Sequence, residues 1–237
     1  MVEILVSEKN GNDRFIAYIY GALLSLLDVC GARAELSVDS ERTAVTIHAQ
    51  TVFEKKIRAC VADRIAEVIS VGYKYRFFRE KIKTVGLSSE DNEILLAALI
   101  SADLKEDRRY IALRLQEVTN YSIDGFYSFR LGLLRKKWQN VAECVPDYFT
   151  KERLRAFMSY LIRGEGNGKI FIRNAEIYDE KYRKLHRAAL IDGGGTELTP
   201  LREIILSGAG EIECVTALSA KQEEFLKKYY AGKVSFY

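Results

Sequence analysis

The first 145 residues contain no proline, and only Pro146 and Pro200 occur among all 237. Proline ends helices because it lacks an N–H and clashes with the preceding turn. Its absence leaves long helices free to form wherever the apolar spacing is helical, and from residue 52 to about 163 the spacing is helical throughout. In "VFEKKIRACVADRIAEVISVGYKYRFFREKIK" (52–83), Phe53, Ile57, Cys60, Val61, Ile65, Val68 and Ile69 recur at helical intervals. "LSSEDNEILLAALISAD" opens with Ser88 or Ser89 as N-cap and acidic residues in the first turn, which suits the helix dipole. Further helices are expected over about 105–119, 122–142 and 150–163.

The flanks read differently. "VEILVS" (2–7) is β-like, residues 13–29 are helical with Gly31 as C-cap, and "AELSVD" and "TAVTIHA" flank a short turn as a β-hairpin. Beyond "RGEGNGK" (163–169), "KIFIRN", "AEIYDE" and "AALIDG" read as short strands. A helix with Thr199 as N-cap and Pro200 at its first position follows, then a strand, a helix over "SAKQEEFLKKYY" and a last strand in "KVSFY". The expected class is α+β: a central all-helical block (about 52–163) between small β-containing units, with segments 1–51, 52–163 and 164–237 as domains.

Net charge is +3, distributed as −3 over residues 1–52, +6 over 53–163 and 0 over 164–237. The basic middle reads as solvated helix faces rather than a polyanion site. The four cysteines form no C-x-x-C pair and sit beside apolar neighbours, so they read as buried, reduced thiols. The longest uncharged run, residues 15–27, is shorter than the roughly 18 residues that span a bilayer. It follows a strand and no basic leader, so no membrane span is read and the cytoplasm is the expected location.

No catalytic, cofactor or metal set is visible. "GEGNGK" lacks the Walker A spacing and reads as a linker, "GAGEIE" reads as a turn and "IDGGGT" as a loop. His48 and His186 lie far apart, and no G-x-S-x-G elbow exists. In "YKYRFFREKIK" (73–83), Tyr73, Phe77 and Phe78 are expected inside, with Lys74, Arg79 and Lys81 wet.

"SIDGFYSFRL" (122–131) is the segment with most to explain. On one continuous helix over 123–138, Ile123, Phe126, Tyr127, Phe129, Leu131, Leu133, Leu134 and Trp138 share an arc, with Arg130 near its centre. An arginine there must be paired, so a buried Arg130 is expected to bond Glu80, Asp103, Asp107, Glu117 or helix-end carbonyls.

The segment resembles the signature of the YtxC family of sporulation proteins from endospore-forming Firmicutes, a hydrophobic-acid-Gly-Phe-x-x-Phe-Arg-Leu helix. "YKYRFFREKI", "SSEDNEILLAAL" and the closing "GKVSFY" agree with it. The resemblance singles out Ile123, Asp124, Gly125, Phe126, Phe129, Arg130 and Leu131. It implies a place in sporulation and no known reaction. The expectation is a non-enzymatic cytoplasmic protein acting through a protein partner, without cofactor or metal. The alternative is nucleic-acid binding by a helix-turn-helix formed from the helices flanking "TNYS".

Overall fold

A computed structural model describes residues 1–116, 118–164, 168–193 and 195–236. In chain order the first elements are β1 (Val2–Lys9), α1 (Asp13–Cys30), β2 (Arg33–Val38), β3 (Arg42–Ala49), α2 (Glu54–Glu67), α3 (Lys74–Lys81), α4 (Ser89–Ser101) and α5 (Leu104–Leu115). They are followed by β4 (Tyr121–Ser122), α6 (Ile123–Arg130), α7 (Gly132–Cys144), α8 (Lys151–Gly164), β5 (Gly168–Arg173) and β6 (Glu176–Tyr178). The last are α9 (Gly195–Ser207), β7 (Ala209–Cys214), α10 (Ala220–Tyr229) and β8 (Val234–Phe236). The class is α+β.

The chain divides into two compact units, Met1–Tyr73 with Lys105–Trp138, and Lys74–Leu104 with Gln139–Tyr237. Both are discontinuous, so they cut across the segments 1–51, 52–163 and 164–237. The β segments of the two termini form two separate four-stranded sheets.

In the first unit the strand order is β2-β3-β1-β4. β1 and β3 run antiparallel, placing Val6 beside Val45 and Ile4 beside Ile47. This alternation puts Ile4, Val6, Val45 and Ile47 on one buried face, where the apolar stripe of α1 (Phe15, Ile16, Ile19, Leu23, Leu27) closes over them. Gly31 ends α1 in the left-handed conformation, as its position suggested. The block 52–163 is not wholly helical: Tyr121 and Ser122 pair in parallel with Val6 and Ser7 of β1. A two-residue strand is too short to show a period of two, so nothing in the sequence announces it.

The long helical stretch from 52 is also interrupted. Between α2 and α3, residues Val68–Tyr73 form a π-helix, and its wider turns shift the phase of everything beyond. Lys74, expected in solvent, is therefore turned inward and buried against Asp103.

The second unit holds the sheet β6-β5-β7-β8, with β5, β7 and β8 parallel and β6 antiparallel to β5. α4 is capped by Ser88, whose hydroxyl accepts the Asp91 N–H. Buried Arg202 of α9 donates to Glu93 and to the Gly193 carbonyl. Tyr75 donates to Glu93 and the Asp192 carbonyl, and burial beside Glu93 pushes its hydroxyl up to about 12. Two expectations fail here. "AALI" is a 3-10 turn (Arg187–Leu190), because the Ala188 N–H is taken by the buried Glu203 carboxylate. α9 begins at Gly195, so Pro200 lies inside it, in its second turn.

Candidate functional site

The motif helix α6 is fastened at its N-terminus by an arginine 82 positions upstream. Arg42 begins β3, and its turn is held by Asp39, whose carboxylate accepts the N–H groups of Glu41 and Arg42 at 2.7 Å each. From there the guanidinium reaches Asp124 at 2.5 Å, the Ser122 hydroxyl at 3.0 Å and the Ser7 hydroxyl at 3.3 Å. Burial would raise the Asp124 carboxyl, but bonds from Arg42, Ser122 and the Gly125 N–H outweigh it and hold the group below the usual carboxylate range. A Cβ on Gly125 would stand 2.8 Å from the Ser122 hydroxyl, so that glycine keeps the network closed.

Beside this pair sits Glu8, at the end of β1 and without solvent exposure. The Tyr73 hydroxyl donates to its two oxygens at 2.9 and 2.7 Å, and the Asn12 amide donates at 3.0 Å. Burial pushes the Glu8 carboxyl up, the Asn12 and Tyr73 bonds pull it partly back, and the Asp124 charge adds to the rise. An enclosed carboxylate held above its ordinary range is a feature that Glu8 shares with catalytic acids and bases. It lacks the access, because a base must reach the proton it takes. Glu8 therefore serves here as an anchor. Tyr73 joins it to the motif, its ring lying 4.5 Å from that of Tyr127.

The motif divides between core and surface. Ile123, Phe126 and Leu131 are buried, whereas Phe129 is 87% exposed and Leu133, just beyond, 70%. Arg130 is exposed as well, and among the described residues it makes no hydrogen bond or ion pair. The expectation of a buried, paired Arg130 is thus overturned. Asp103 is held by Lys74, Asp107 by Lys137 and Trp138, and Glu80 lies near Lys81. Glu117 falls outside the described residues.

The physical reason is that the helix stops. Leu131 adopts φ −111°, ψ 30°, and α7 starts afresh at Gly132, so a wheel drawn through 123–138 assumes a rotation the chain does not make. Arg135 fixes the corner by donating to the Ser128 carbonyl at 2.8 Å, with its guanidinium 5.5 Å from the Tyr127 ring. The result is a hydrogen-bonded corner that presents Phe129, Arg130 and Leu133 outward.

Glu8, Arg42 and Ser122 were not singled out by the sequence, and Tyr73 only as an inward aromatic, since no local spacing links the four. The N-terminus of α6 offers no free base-reading side chain, because Ile123 is buried and Asp124 is occupied. Among the described residues no group of three or more His, Cys, Asp and Glu is placed to hold a metal. No helix of the described residues is long and apolar enough to cross a membrane. Cys30 and Cys214 are buried as expected, but Cys60 is half-buried and Cys144 exposed. Cys144 borders an apolar cleft of about 400 Å³ formed with Leu95, Leu99, Val145, Phe149 and Phe157.

No family model, no curated protein and no solved structure matches this chain.

Proposed function

We propose that this chain is a YtxC-like protein of the sporulation programme, acting in the cytoplasm without catalysis by binding another protein through the α6–α7 corner. The observation that carries the reading is the exposure of Phe129 and Leu133 around unpaired Arg130, on a hydrogen-bonded corner. Aromatic residues and arginine dominate the energetics of protein interfaces, and a rigid presenting helix lowers the ordering cost of binding. Lys136 is also exposed on α7, so the fitting partner has an apolar pocket bordered by carboxylates. The sporulation context rests on the resemblance of "IDGFYSFRL", three of whose residues support the corner from inside.

The test is affinity purification from sporulating cells with the native chain and with Phe129→Ala and Arg130→Glu. The native chain should retain a protein after nuclease treatment, and each variant should lose it at an unchanged melting temperature. Retention by both variants removes the corner from the reading. Nucleic-acid binding, the alternative, requires salt-sensitive affinity for mixed DNA or RNA, and a flat titration at low salt excludes it.

A further inference from the structure

Among the described residues, β2 is the longest open sheet edge. The two sheets end in β2 with six residues, β4 with two, and β6 and β8 with three each. Proteins blunt their edges with short strands, prolines, lysines or bulges. "RAELSV" has no proline or lysine, and its pairing with β3 is unbroken from Arg33 to Val38.

The parity of the ladder shows which backbone groups are open. Asp39 donates its N–H to the Arg42 carbonyl, so alternate residues Asp39, Ser37, Glu35 and Arg33 turn their polar groups toward β3. Ala34, Leu36 and Val38 turn theirs outward. Their side chains lie on the same sheet face as Val45 and Ile47, their neighbours' buried residues, because Leu36 pairs with Val45 and Ala34 with Ile47. α1 covers that face over β1 and β3 but leaves Leu36 52% and Val38 71% exposed. An open hydrogen-bonding edge and an uncovered apolar strip thus coincide on one strand.

We infer that β2 pairs antiparallel with β2 of a second copy of this chain, with Leu36 opposite the partner's Leu36 on the two-fold axis. In this register every outward residue meets an outward residue: Ala34 faces the partner's Val38, and Val38 faces the partner's Ala34. That closes roughly six inter-chain hydrogen bonds, two for each facing pair. It also sets Arg33 opposite the partner's Asp39, twice by symmetry, and joins the two apolar strips into one. A shift of two residues in either direction loses a hydrogen-bonded pair and separates Arg33 from Asp39. The two-fold contact is closed and consumes both edges, so it yields a dimer and not a fibre.

The test uses the full-length chain in sedimentation analysis and in oxidative cross-linking. The native protein should sediment at twice its mass of 27.0 kDa. Leu36→Pro removes an outward N–H and none that β3 uses, so it should sediment as a single chain with unchanged far-UV circular dichroism. If that variant misfolds, Leu36→Cys decides the matter in a background carrying Cys60→Ser and Cys144→Ser. Facing Cα atoms in such a pair stand about 5.5 Å apart, within disulfide reach. Mild oxidation should link Leu36→Cys into a dimer but leave Ser40→Cys unlinked, since its copies would be about 26 Å apart. A native chain that stays single at high micromolar concentration overturns the inference. So does a dimer that survives Leu36→Pro, or one that cross-links equally at both cysteines.

Discussion

Lys74 is fully buried with its ammonium on Asp103 and 5.5 Å from the Phe78 ring. Removing one partner of such a pair strands the other charge, whereas replacing both with apolar residues relieves the desolvation of each. Lys74→Ala should therefore cost roughly 3 kcal/mol in urea unfolding, and Lys74→Met with Asp103→Leu should recover most of it. Glu8 makes the opposite kind of prediction, through pH. Its folded pKa lies above the ordinary 4.5. Between that value and its own raised one, folded Glu8 keeps a proton that the unfolded chain has released, so rising pH lowers stability. The stability of the native chain minus that of Glu8→Gln should fall as pH climbs above 4.5 and then level off. A flat or rising difference would show that Glu8 is not held as an enclosed acid.

Helix ends and phases account for much of what the elements do. α10 starts with a complete capping box: the Ser219 hydroxyl accepts the Gln222 N–H, and the Gln222 side chain accepts the Ser219 N–H. Ser219→Ala should cost about 1 kcal/mol, seen as a melting temperature lower by roughly 2–4 °C. α6 and α7 illustrate the reverse situation, where an end occurs without an obvious signal. Leu131, neither glycine nor proline, leaves the helical conformation at the end of α6 with its side chain fully buried. The π-helix Val68–Tyr73 is a similar case. It contains no residue that dictates a wider turn, yet it brings Tyr73 to Glu8 and Lys74 to Asp103.

The two compact units are assembled from segments distant in sequence. β1 needs β4 at its free edge, and α1 packs against α2, so residues 1–51 lack the surfaces that complete their core. A fragment of residues 1–51 should consequently show little amide protection in hydrogen exchange. In the full chain the β1 and β3 amides should be among the slowest to exchange. Strong protection in the isolated fragment would mean that the hairpin and α1 form a self-sufficient domain.

Local signals carried the class and most elements: the helical spacing, the Ser88 and Gly31 caps, the hairpin at Asp39–Arg42 and the strands that became β5, β6 and β8, whereas "GAGEIE", expected as a turn, supplies most of β7 (Ala209–Cys214). Each of these depends on residues within a few positions of one another, so the chain encodes them wherever it is folded. The fate of "IDGFYSFRL" was not legible in that way. The anchoring of its N-terminus depends on Arg42, Ser7, Tyr73 and Glu8, and its break at Leu131 on the corner that Arg135 ties to Ser128, none of which sequence periodicity brings together. Burying or exposing a charge depends on neighbours met only after long loops close. The same holds for the β2 edge: its alternation is written in "RAELSV", but that it lies outermost follows from how the sheet was assembled.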